Sequence, residues 1–248
     1  MLTNRHIKKV LFRAGQLILG RENWLLFMAH INLTRMRGKQ YESTFRQFSH
    51  LLPDRGLVLD IGANLGVMSA YLAQKNSSWK IVAIEPIPLH VTVINRFLKY
   101  KQLINIEIVE KAISDKDGWV EMKVPMEEGM LQHGLASLEM QKDSVGELHQ
   151  VHAITLDQLM EQYPKEVVIG IKIDVENHEW EVLQGGLQTI QKYQPIIMAE
   201  LWDDLKKQQC LHLLTSLGYR VMYVNMQGQL VSYQGEDVID YIFLPPLA

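Results

Sequence analysis

A chain of 248 residues, 47% hydrophobic and 21% charged, suits one α/β domain with a modest extension, and these totals exclude a disordered or collagen-like protein. Its single cysteine, Cys210, excludes an internal disulfide and a cysteine-based zinc or iron–sulfur site; it sits in the run Cys210-Leu211-His212-Leu213-Leu214 and reads as a small buried hydrophobe in a protein of the reducing cytoplasm. The formal net charge of −3 hides an asymmetry, with nine Lys/Arg against two Asp/Glu in residues 1–50 and sixteen against twenty-six in the remainder.

The start, Met1-Leu2-Thr3-Asn4-Arg5-His6-Ile7-Lys8-Lys9, leads into no long uncharged run and no small-residue cleavage site, so no secretory signal is expected. Apolar residues then recur at helical spacing through Val10, Leu11, Leu17 and Ile18, and again through Trp24, Leu25, Met28 and Ile31. The apolar stretch from Trp24 to Phe27 is too short to span a bilayer. Residues 1–40 are expected to form a helical arm outside the main sheet. Its basic charge favours packing on the acidic body or on a second subunit of a homo-oligomer. Peripheral contact with a membrane surface, through Leu11, Leu17, Ile18 and Leu19, is the second reading. Nucleic acid is not expected, because the body is acidic and carries no aromatic-basic RNA-binding motif.

The main domain is expected over 41–248. A helix from Tyr41 to Leu52 ends at Pro53-Asp54-Arg55-Gly56, and strand–helix alternation follows. Strands are expected at Leu57–Ile61, Lys80–Glu85, Ile106–Val109, Val167–Asp174, Pro195–Glu200, Tyr219–Val224 and Val238–Leu244. Short apolar strands separated by helices imply a mostly parallel sheet with helices on both faces. The last two strands have no helix between them, only the turns Gln227-Gly228-Gln229 and Gln234-Gly235-Glu236, so the last strand should be antiparallel. An insertion at about 118–154 alternates like two strands, Trp119–Val124 and Gln150–Ile154, around a polar span containing Gly129 and Gly134. A loop this long in a compact domain is usually functional.

Three motifs carry chemistry. Asp60-Ile61-Gly62-Ala63-Asn64-Leu65-Gly66 follows a strand and opens a helix. Gly62 allows close backbone approach to a ligand, and Gly66 allows tight packing of helix on strand. Asn64 replaces the middle glycine of the dinucleotide fingerprint, so a pyrophosphate fits poorly, while Asp60 suits an ammonium group. Glu85-Pro86 ends the second strand, where a carboxylate can accept the hydroxyls of a ribose. Lys172-Ile173-Asp174-Val175-Glu176-Asn177-His178-Glu179 ends the fourth strand and opens onto the same crevice. The helix dipole disfavours an imidazolium at His178, and Asp174, Glu176 and Glu179 favour one. No structural metal is expected; a catalytic divalent cation held by Asp174 and Glu200, with Asp203 and Asp204 as further oxygen ligands, is the lesser reading.

These motifs, together with Ala112-Ile113-Ser114-Asp115, Thr155-Leu156-Asp157, Val182-Leu183 and Glu200, resemble the FkbM family of methyltransferases over roughly residues 41–202. The family pattern usually has glycine where this chain has Asn177. The resemblance implies a class I, Rossmann-like methyltransferase fold and an S-adenosylmethionine-dependent O-methyltransferase acting on a small-molecule or carbohydrate acceptor, a sugar, glycan or natural product. By position, it implies that Asp60, Gly62, Asn64 and Gly66 hold the methionine part, that Glu85 with Pro86 binds the ribose, and that Ala112 lies near the adenine. Asp174, His178 and Glu200 would face the acceptor, with His178 the first choice as general base. The rivals are N-methylation on the same fold, disfavoured by the absence of an N-P-P-[YF] tetrapeptide, an NAD-dependent dehydrogenase, disfavoured by Asn64, and a non-catalytic binding protein retaining the fold.

Overall fold

The computed structural model describes residues 15–36, 38, 43–127, 130–131, 136–138, 145–202 and 204–246. The expected apolar positions Val10 and Leu11, Gly129 and Gly134 of the insertion, and Asp203 lie outside them. A helical turn at 15–19 leads into α1 (Arg21–Met36) and α2 (Ser43–Leu51). The alternating part follows as β1 (Gly56–Ile61), α3 (Val67–Lys75), β2 (Trp79–Ile84), α4 (Pro88–Lys101) and β3 (Ile106–Val109). The insertion comprises β4 (Ala112–Ile113), β5 (Gly118–Glu127), β6 (Met130–Leu131) and β7 (Gly146–Ile154). The chain continues through α5 (Leu156–Met160), β8 (Val168–Ile173), α6 (Glu179–Gln184), α7 (Leu187–Tyr193), β9 (Ile196–Glu200) and α8 (Asp204–Ser216). It finishes as β10 (Arg220–Val224), β11 (Leu230–Ser232) and β12 (Asp240–Leu244).

Eight strands form one sheet in the order β11-β10-β12-β9-β8-β1-β2-β3. Strands β9 to β3 run parallel, and β12 lies antiparallel between β9 and β10. All of β8 is buried, as its unbroken apolar run requires of a strand covered on both faces. Alternate residues serve the two faces. Leu57, Leu59, Val82, Ile171 and Ile197 meet Val182, Leu183, Ile190, Cys210 and Leu214 on one side. Val58, Ile81, Ile169 and Ile242 meet Phe45, Phe48 and Leu72 on the other. Burial, with Glu179 and Glu181, pushes the Cys210 thiol up to about 12, so it serves as a core side chain and not a nucleophile. The edge strand β11 was not among the expected strands: its three residues lie between two recognised turns and are too few to show a period.

One stripe of the segment expected as an arm, Leu25, Ala29, Leu33 and Met36, is buried. Ala29 and Leu33 of α1 are packed with Ala70, Ile94 and Phe97 of α3 and α4, and Met36 joins Phe45 and Phe48. Residues 21–36 therefore pack on the helical layer of the domain through one stripe. Leu33 is 2% exposed. Leu33→Ala is expected to cost about 2–5 kcal/mol through lost burial and a residual cavity, read as a lowered midpoint in denaturant unfolding.

The insertion folds into a second sheet, β4-β7-β5-β6, with β5 and β7 antiparallel in the register Trp119↔His152 to Pro125↔Gly146. Its inner face, Met122, Val124, Val151 and Ala153, packs with Ala112 and Ile87, which places this small sheet over the ends of β2 and β3.

Candidate active site

The parallel register brings the motifs together. Ile61 pairs with Ile84 and with Ile173, so Gly62, Glu85 and Asp174 all leave the sheet at the same edge. There they border a cleft lined also by Asn64, Pro86, Ala112, Glu176 and His178, with Met122, Ala136 and Leu138 of the insertion as its roof. A second hollow shares Gly62, Asn64 and Asp174 with the first and is bordered by Asn32 and Met36 of α1.

Asp60 does not reach this cleft. It is fully buried, accepts a hydrogen bond from Ser69 Oγ at 2.5 Å, and lies 3.2 Å from Lys172 Nζ, its register partner across β1 and β8. Its cationic neighbour among the described residues is thus Lys172, and it lines neither hollow. Lys172 Nζ also donates to the Gly62 carbonyl at 2.8 Å and lies 3.4 Å from Asp174 Oδ2. Burial alone would lower this lysine, but Asp60 and Asp174 outweigh it and hold it firmly charged.

Both glycines sit in close packing contacts, and Gly62 also borders both hollows. Gly62 has φ 77°, and a Cβ there would fall 1.9 Å from the Asp174 carbonyl oxygen. The close approach that glycine permits is therefore between two strand ends. Gly66, at φ 70°, is the left-handed residue before α3, and a Cβ would press on Ile94 of α4 at 3.0 Å; it lies behind the cleft wall.

Glu85 is buried at the cleft. Its Oε1 accepts from Ile87 N–H at 3.0 Å and lies 3.0 Å from His90 Nδ1, and its Oε2 accepts from Asn64 N–H at 2.8 Å. A carboxylate has about four acceptor sites, so one remains, on Oε2, and Glu85 can take one ribose hydroxyl rather than both. Asn64 Oδ1 is buried without a hydrogen-bond partner among the described residues, on the wall shared by both hollows. Such a group ordinarily finds a donor. An acceptor without a partner, a carboxylate with one spare site and an apolar slot beside Ala112 and Met122 fit a nucleoside joined to an amino acid, the chemistry of S-adenosylmethionine.

The turn after β8 is tightly held. Glu176 (φ 53°) and Asn177 (φ 72°) are consecutive left-handed non-glycine residues, a conformation that persists only when its surroundings enforce it. Glu179 Oε1 accepts from Val175 N–H, Lys206 Nζ donates to the Asn177 carbonyl at 2.9 Å, and Ser137 Oγ of the insertion donates to the Glu176 carbonyl at 2.5 Å. Burial, then Asp174 and Glu179, pushes the Glu176 carboxyl up to about 7. Burial, partly offset by backbone N–H groups, takes Glu179 to about 7. Glu200 ends β9 opposite Asp240 and is taken to about 8 by burial, then by Asp174 and Asp240. Glu200 is not among the described residues lining the cleft. A cation entering this group of carboxyls would draw their protons off.

His178 caps α6 and is buried. Ser114 Oγ lies 3.0 Å from Asp115 Oδ1 and 2.9 Å from His178 Nε2. A serine has one hydroxyl proton; given to Asp115, it leaves Oγ to accept from His178 Nε2–H. The other ring nitrogen is 3.5 Å from Glu181 Oε2. Both nitrogens thus face protein groups, and the ring braces the cleft wall.

The sequence matches the model of the Methyltransferase FkbM domain over residues 60–228. It is 24% identical over 177 residues to Methyltransferase sdnD from Sordaria araneosa, covering 61% of this chain and 68% of that protein. Among solved structures, Methyltransferase FkbM from Methylobacillus flagellatus KT superposes with a TM-score of 0.53 at 16% identity, over 81% of this chain and 47% of that one. This chain thus spans about half the length of that structure, and the likeness is one of fold.

Proposed function

Because the chain belongs to the FkbM methyltransferase family, we propose that it is an S-adenosylmethionine-dependent O-methyltransferase acting on a hydroxyl of a sugar, glycan or small natural product. The observation that carries this reading is the single cleft in which Gly62, Asn64, Glu85 and Ala112 face the turn from Asp174 to His178. S-adenosylmethionine, when bound, would supply an electrophilic methyl group on a sulfonium, and the protein's part would be to position the acceptor oxygen against it. Asn64 Oδ1 and the Gly62 loop would hold the amino-acid end, Glu85 Oε2 a ribose hydroxyl, and Asp174 the region of positive charge. The insertion roof excludes water.

A hydroxyl is a weak nucleophile until its proton leaves, and the best acceptor for that proton has a pKa near the working pH. The Glu176 carboxyl, near 7 on the cleft wall, meets that condition. His178, the first choice on sequence grounds, positions the turn through Ser114 and Glu181. Residence in the cytoplasm belongs to the same proposal; no helix among the described residues is long and apolar enough to cross a membrane.

Calorimetry tests the cofactor assignment. Wild-type protein should bind S-adenosylmethionine and S-adenosylhomocysteine but not NAD. Gly62→Ala, which drives a Cβ into the Asp174 carbonyl, should weaken both by roughly tenfold to a hundredfold, corresponding to strain of about 1–3 kcal/mol. Absence of binding by the wild type overturns the reading. Radiolabelled methyl transfer to amines in place of alcohols in an acceptor panel would move it to N-methylation.

A further inference from the structure

Helix α1 precedes every motif of the site in sequence, yet it reaches the second hollow. Its buried stripe is Leu25, Ala29, Leu33 and Met36. Asn32 stands three residues after Ala29 and four before Met36, so it shares that face of the helix. A polar side chain in such a stripe costs free energy unless it finds a partner. The Asn32 side chain forms no hydrogen bond with another described residue. It borders the hollow instead, together with Gly62, Asn64 and Asp174.

The polar groups of this hollow divide into two kinds. Asn64 Oδ1 and the Asp174 carboxylate are acceptors, and they suit an ammonium group. Donors are scarcer. Lys172 borders the hollow, but its ammonium is already held by Asp60, Asp174 and the Gly62 carbonyl. The Asn32 amide brings two N–H donors that no described protein group takes up. Val67 and Met68, which begin α3, lie on the same wall, and α3 has no side-chain cap, so negative charge is favoured at this end. The two ends of a free amino acid thus find separate partners, acceptors for the ammonium and donors for the carboxylate.

We propose that Asn32 binds the carboxylate of the cofactor's methionine part, so that α1 completes the cofactor site and its amide selects ligands that carry this carboxylate. The inference rests on the S-adenosylmethionine reading of the cleft and adds to it a residue from outside the motifs that suggested it. The nucleoside end depends on Glu85 and is independent of Asn32.

Calorimetry on the full chain tests this with S-adenosylhomocysteine and its decarboxylated analogue, which keeps the nucleoside, the thioether and the ammonium and lacks the carboxylate. Wild type should bind S-adenosylhomocysteine at least about tenfold more tightly than the analogue. Asn32→Ala should weaken S-adenosylhomocysteine by about tenfold or more and leave the analogue within about twofold of its wild-type affinity. Asn32→Asp, equal in size, should weaken S-adenosylhomocysteine further through like charge and hold the analogue as well as wild type does, or better. Equal binding of the two ligands by the wild type overturns the proposal. So does an equal loss for both ligands in the variants, the mark of a purely structural role, and so does unchanged S-adenosylhomocysteine affinity. A loss confined to the analogue overturns it as well, by turning Asn32 toward the ammonium. All of these leave the methyltransferase reading standing; a wild type that binds neither ligand removes that reading and this inference together.

Discussion

Lys172→Met is expected to destabilise the protein by about 3–5 kcal/mol, because it leaves Asp60 as an uncompensated charge in the sheet. Asp60 is fully buried, and its register partner Lys172 is its only cationic neighbour among the described ion pairs. The same substitution releases the Gly62 carbonyl and Asp174, so cofactor affinity should fall with stability. Denaturant unfolding measures the first effect and calorimetry the second. The double variant Asp60→Asn/Lys172→Met separates them: removing both charges should recover most of the stability, while binding stays weak because the Gly62 loop has lost its donor. A single variant as stable as the wild type would show that Asp60 is not ionised where it lies.

Glu176→Gln is expected to lower turnover by ~10²–10⁴, the usual contribution of a general base, with S-adenosylhomocysteine affinity within a fewfold of wild type. The sign of the pH dependence follows from the raised carboxyl. With a pKa of about 7 in the free protein, the base form is scarce below that pH and complete above it, so kcat/KM should rise with pH through about 7 and then level. Glu176→Gln should remove that rising limb. His178→Ala, by contrast, should weaken acceptor binding and leave the limb in place, as expected of a group that braces the turn through Ser114. A limb lost in His178→Ala and kept in Glu176→Gln would return the base to the histidine.

Much of the fold was legible because its signals are local. Apolar runs such as Leu57–Ile61 and Val167–Asp174, separated by helix-length segments, announce a parallel sheet. The site was legible as far as strand ends are, since Gly62, Glu85 and Asp174 follow their strands directly and converge once the strand order is known. What escaped depends on pairing across the sheet. Asp60 reads as a ligand-facing acid until Lys172, 112 positions later, is seen in register with it. The signal was present as a lysine within an otherwise apolar strand, but only strand order names its partner. His90, Ser114 and Ser137 were missed for the same reason: each acts on a residue brought near by folding. The embedding of α1 was concealed by its charge. Arg21 and Arg35 mark it as a surface segment, while Ala29 and Leu33, a turn apart, form the narrow stripe that packs.

The antiparallel final strand has a consequence for the order of assembly. Strand β12 stands between β9 and β10, so the hairpin of β10 and β11 has no hydrogen-bonded route to the rest of the sheet until residues 240–244 are in place. A chain emerging from the ribosome can build β1, β2, β3, β8 and β9 in sequence. It must then hold the β9 edge open while some forty residues are made, since Glu200 pairs with Asp240. Such pairings form late and slowly, because loop closure precedes any gain from contact. The growing edge at Ile196–Glu200 is therefore the place where nascent chains are most exposed to mispairing and to chaperone capture.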